Sequence, residues 1–121
     1  KILISGARIH GVGDKALSVG EASHLTASRL DISDVLIGVA SKDGSLVKFS
    51  ESMISNASFA GIVAYIKKPE YGPGAIKAFN ITYIDTDVRA ISQTGNEISI
   101  DGERISTREL DIDKLYTEIK Q

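Results

Sequence analysis

Ile37-Gly38-Val39-Ala40-Ser41-Lys42-Asp43-Gly44-Ser45-Leu46-Val47-Lys48-Phe49 reads as an apolar strand, a tight turn and a second strand. The same order recurs on both sides of it. A small residue opens an apolar run at Ala16, Gly38, Gly61 and Ala90, and a second run follows from Leu25, Leu46, Ile76 and Ile98. The openings lie 22, 23 and 29 residues apart, and the longest interval holds the insertion Lys67-Lys68-Pro69-Glu70-Tyr71-Gly72-Pro73-Gly74. A period in the low twenties is that of a β-solenoid, in which a coil buries its inner face only against its neighbours. Strands that recur once per coil are expected to pair in parallel with their equivalents in the next coil.

The spaces between these runs are polar. Glu21-Ala22-Ser23 and Asp43-Gly44-Ser45 are expected turns, and Ser33-Asp34, Ser55-Asn56 and Asp85-Thr86-Asp87 are expected corners. Residues 25–32 read as one continuous second strand, with Leu30 and Ile32 alternating inward. Near the C-terminus Asp101-Gly102 separates two strand-like runs, which predicts a type I′ hairpin. Ser106 stands three residues before Glu109, a capping-box spacing, and predicts a short helix carrying Leu110, Leu115 and Ile119 over the last open coil. The expected organisation is about four coils over residues 1–105, interrupted at 66–75, with a capping helix and tail at 106–121. The chain begins at Lys1 directly on a strand-like run with no comparable cap. The expectation is a C-terminal fragment whose N-terminal end continues into more solenoid or another domain.

The composition bounds the function. The chain of 121 residues fits one domain, and with three Phe, four Tyr and no Trp its core must be mostly aliphatic. Fourteen basic and sixteen acidic residues give a net charge of −2 without any single-sign block, which disfavours nucleic-acid binding. Cysteine is absent, removing disulfides, thiol nucleophiles and thiolate metal sites. No apolar run is long enough to span a bilayer.

Three stretches, Gly13-Asp14-Lys15-Ala16-Leu17-Ser18-Val19-Gly20-Glu21, residues 37–45, and Ala64-Tyr65-Ile66-Lys67-Lys68-Pro69-Glu70-Tyr71-Gly72, resemble a right-handed parallel β-helix region. Specifically, they are similar to the pectate-lyase-like C-terminal β-helix of some bacterial surface or envelope proteins, at times found behind a spore-coat-H-type kinase-like domain. The resemblance covers residues 10–116, including Asp113-Lys114-Leu115-Tyr116. It implies an all-β solenoid on an extracytoplasmic protein, at the cell surface or secreted. It carries no catalytic residues across, and the kinase-like domain is not part of this chain.

The insertion is the leading site candidate, because loops on a rigid scaffold concentrate binding residues. Tyr65 and Tyr71 offer stacking faces, Lys67 and Lys68 cations, and Glu70 an acceptor, a set suited to a polysaccharide or another protein. The expected function is a noncatalytic module for glycan or protein binding and assembly. The alternative is part of a polysaccharide lyase or hydrolase acting through Glu21 and Asp43, at equivalent turn positions, with Lys42 as the basic group. Asp85 and Asp87 form a D-x-D pair that lacks the Gly and distant Glu of a calcium loop. His10 and His24 have no clustered partners, so neither a metal nor a cofactor is expected.

Overall fold

The alternating aliphatic runs and polar bends form a mostly β structure. It is a computed structural model that describes residues 2–11 and 13–119, with side chains through Leu115. Lys1, the last two residues of the tail and the Ile119 side chain lie outside the described residues. The strands are β1 (Ile2–Ser5), β2 (Arg8–His10), β3 (Lys15–Val19), β4 (His24–Ser28), β5 (Asp31–Lys42), β6 (Leu46–Tyr65), β7 (Ala75–Ile84), β8 (Ala90–Gln93), β9 (Glu97–Ile100), β10 (Glu103–Arg104) and β11 (Thr107–Arg108). One helix follows, α1 (Ile112–Ile119).

Nearly all pairings are parallel and join residues one sequence repeat apart. In the first ladder Ile2, Leu25, Val47, Ile76 and Ile98 lie in register. In the second the row is Ile9, Ile32, Ile54 and Tyr83. In the third it is Leu17, Val39, Ile62 and Ala90. These rows meet in one buried aliphatic cluster, where Ile32, Val39, Val47, Ile54, Ile62, Ile76 and Ile98 are fully enclosed. Two expected registers move by one residue. Leu25 faces Val47 because Leu46 pairs with His24, and Ala90 faces Ile62 in place of Gly61.

β5, β6 and β7 cannot be straight ribbons, because each holds residues in the left-handed region. The first bend is the column Gly6, Arg29, Glu51 and Asn80, and the second is Gly11, Asp34, Asn56 and Asp85. The third holds Glu21-Ala22 and Asp43-Gly44. A single left-handed residue turns an extended chain, and Asn and Asp tolerate that conformation better than most. The expected strand over residues 25–32 is therefore broken at Arg29, whose φ is 54°.

Gly38 and Gly61 show why small residues open the third-ladder strands. A Cβ on Gly38 would sit 2.6 Å from the Gly61 carbonyl oxygen and 3.0 Å from Ile54 Cδ1. A Cβ on Gly61 would meet the Arg89 oxygen at 2.6 Å and Tyr83 Cε1 at 3.0 Å. Each glycine leaves room for the next repeat's backbone and for an inward side chain of the second ladder.

The C-terminal segment follows expectation in its hairpin and departs from it in its helix. Asp101 and Gly102 both have positive φ, and β10 pairs antiparallel with β9, as the Asp-Gly signal predicts. Ser106 does not open the helix; the chain beyond it is captured as β11, parallel to β8. The helix starts after Asp111, whose Oδ1 accepts the Lys114 N–H at 3.0 Å. Leu115 is 2% exposed in a second cluster with Ile37, Ala40, Ala60, Val63, Tyr65 and Ile91, the outward side of the third ladder. Burying Leu115 there contributes about 1.5–3 kcal/mol.

Candidate functional site

The insertion sits where the repeat predicts, between the Lys42–Tyr65 pair and the Leu46–Ala75 pair. It is laid back on the third bend. A single 3-10 turn spans Pro69–Tyr71. Asp43, fully buried, accepts the Lys67 N–H at 2.7 Å and the Lys68 N–H at 2.6 Å through Oδ1. Its Oδ2 is buried without a partner. A Cβ on Gly44 would lie 2.3 Å from the Tyr71 carbonyl oxygen, so the loop's main chain crosses directly above this residue. Across the return, Asn96 Oδ1 accepts the Gly74 N–H at 2.7 Å and Gln93 Oε1 accepts the Ile66 N–H at 2.7 Å. Carboxylate and amide oxygens thus satisfy main-chain donors that leave the regular ladder here.

The candidate ligand residues divide accordingly. Tyr65 is fully buried in the outer cluster and presents no face to a ligand, because its position in β6 points it to the outward side of the third ladder, among Val63, Ile91 and Leu115. Lys68 donates from Nζ to Glu21, whose hydrogen bond and charge hold the ammonium above its ordinary pKa. Lys67 and Glu70 are exposed, and Tyr71 is 43% exposed.

Glu21 and Asp43 do occupy matched positions, and the Lys67-Lys68 stretch engages both. They do so with different chemistry: Glu21 is exposed and pairs with an ammonium, whereas Asp43 faces inward and holds two peptide N–H groups. Lys42 is half-buried, with its methylenes over Gly20. The arrangement fastens a loop and leaves Asp43 no solvent-facing atom.

The second bend is also internally bonded. Asn56 Nδ2 donates to Asp34 Oδ1 at 2.8 Å, and His10 Nδ1 lies 3.2 Å from Asp34 Oδ2 and 3.0 Å from Ser33 Oγ. Of the D-x-D pair, Asp85 supplies a left-handed residue to this bend, while the intervening Thr86 accepts the Ala57 N–H at 3.3 Å. Among the described residues no three His, Cys, Asp or Glu side chains cluster to hold a metal ion.

The first bend differs. Its column Arg29, Glu51 and Asn80 forms one wall of an open groove of about 470 Å³, and Asp31, Met53 and Thr82 form the other. The floor is Leu30 and Ser52, 2% and 5% exposed. Ser52 Oγ is occupied, accepting the Leu30 N–H at 3.0 Å and donating to the Ser50 carbonyl at 2.8 Å. Arg29 reaches Ser5 Oγ and Asp31 lies 3.5 Å from Arg8. The Glu51 carboxylate and the Asn80 side-chain amide have no hydrogen-bond or ion-pair partner among the described residues. Nothing in the local sequence marks these residues as a set. Only superposing the repeats at the observed register, 22 and then 29 positions apart, aligns Arg29, Glu51 and Asn80.

Comparison with known proteins finds no matching family model, no matching curated protein and no matching solved structure. No helix among the described residues is long and apolar enough to cross a membrane.

Proposed function

We propose that the chain is a right-handed parallel β-helix of about four coils that serves as a noncatalytic extracytoplasmic module for glycan or protein binding and assembly. The fold reading is supported by three parallel ladders offset by one repeat and by bends recurring in columns; right-handed crossovers are the strong rule for parallel strands. The observation that carries the noncatalytic reading is the use made of Asp43. A general acid or base must reach a substrate proton, and this carboxylate is buried with two main-chain donors on it. Exposed Tyr71, Glu70 and Lys67 remain as contact surface at the loop.

Incubating the protein with a panel of polysaccharides tests this reading. It predicts no new reducing ends and no unsaturated-uronate absorbance, with Glu21→Gln indistinguishable from the parent. Turnover that Glu21→Gln abolishes without unfolding the chain would replace it with the lyase or hydrolase alternative.

A further inference from the structure

We infer that the groove along the first bend is a binding site for a neutral glycan chain, lying parallel to the stacking direction. The inference rests on the binding-module reading above and gives it a site and a ligand class. The wall residues Arg29, Glu51 and Asn80 belong to successive repeats, so they stand about 4.8 Å apart, the spacing of paired strands. That places a planar polar group at each step of a rigid track. Guanidinium, carboxylate and carboxamide each present two polar atoms in one plane, which matches adjacent hydroxyls of a pyranose. Glu51 and Asn80 are exposed and unengaged, so a ligand displaces only water from them. Opposite, Met53 supplies an apolar contact for sugar C–H groups and Thr82 a hydroxyl.

The charge argues for a neutral chain. Arg29 is the one cation lining the groove, against the carboxylates of Asp31 and Glu51, and Arg8 already neutralises part of Asp31. A uronate polymer would set its own carboxylates against Glu51 with no excess of cations to receive them. The floor favours binding too. Ser52 is fully bonded and Leu30 buried, so the track is set before the ligand arrives and little ordering accompanies binding.

Isothermal titration with hexamers of β-1,4-linked glucose, β-1,4-linked mannose and α-1,4-linked galacturonate tests the site. The expected result is saturable binding of at least one neutral hexamer and none of the galacturonate. Glu51→Ala and Asn80→Ala should each weaken binding tenfold or more with unchanged thermal unfolding, while Tyr71→Ala leaves affinity within twofold. Binding indifferent to Glu51→Ala and Asn80→Ala, or no binding of either neutral hexamer, overturns the groove while leaving the module reading intact. Preferential galacturonate binding overturns the charge argument. Cleavage of a bound hexamer would overturn the noncatalytic reading and keep the groove.

Discussion

The first and third bends are made by the same backbone device and treat the acids Glu51 and Asp43 in opposite ways. At each, residues in the left-handed region recur at matched positions of successive repeats. At the third bend the chain is longer by the insertion, extra main-chain donors appear, and Asp43, Gln93 and Asn96 are drawn onto them. At the first bend the repeats pass without interruption: Arg29 N–H bonds the Ser50 carbonyl, Ser52 Oγ and Asp101 Oδ1 accept the Leu30 and Asn80 N–H groups, and the Glu51 carboxylate and Asn80 side-chain amide have no hydrogen-bond or ion-pair partner among the described residues. Both bends use polar side chains as structure, but the irregular one draws in the acid at its turn, whereas the regular one leaves the Glu51 and Asn80 side chains exposed.

The largest predicted effect breaks both bends together. Gly38→Ala drives a Cβ into the Gly61 carbonyl and Ile54, and neither can retreat without separating the repeats. It should cost about 3 kcal/mol or more, read as a lowered urea midpoint. Next, Asp43→Ala leaves the Lys67 and Lys68 N–H groups without their acceptor and should cost about 2 kcal/mol. Amide hydrogen exchange should then rise over residues 66–75 and not at 29–31 or 51–53.

Alkaline pH loosens the loop side by a smaller amount. Lys68 is held above 10.5 by Glu21, so the stabilisation of that pair is complete below this value and is lost as pH rises through the folded-state pKa. Tyr83 acts in the same direction for a different reason. Burial pushes its phenol from 10.0 up to about 12, so between these values the unfolded chain releases a proton that the folded one keeps, and stability falls. Tyr83→Phe should flatten that part of the alkaline limb. At pH 7 it should leave stability unchanged or raise it by up to about 1 kcal/mol, because the Tyr83 hydroxyl is buried without a partner. The smallest predicted stability change belongs to the first bend: Glu51→Ala and Asn80→Ala should each stay within about 0.5 kcal/mol of the parent.

Much of the architecture is legible in the residues. Asp34, Asn56 and Asp85 stand at expected polar corners because their short side chains tolerate the left-handed conformation, and Asp101-Gly102 makes its hairpin through purely local geometry. The misreadings have tertiary causes. Ser106 has good capping chemistry, but pairing of Thr107 and Arg108 with β8 removes it from any helix, and Asp111 caps instead. The slips at Leu46 and Ala90 arise where one apolar residue looked as good as its neighbour and only the inward row discriminates between them. Tyr65 could not be read as buried without knowing that Ile91 and Leu115, from later in the chain, join it in the outer cluster. The first bend is hidden for a chemical reason: Arg29 and Glu51 are not turn-forming residues, so their columnar arrangement emerges only from the register.

The pair Asp43→Ala and Glu51→Ala, compared by urea denaturation at pH 7, tests the contrast between the two bends most directly. Two exposed-looking acids in turns of the same repeat should separate by about 2 kcal/mol, with Asp43→Ala destabilised and Glu51→Ala close to the parent. Equal losses, or a larger loss at Glu51, would contradict the division into a structural bend and an available one.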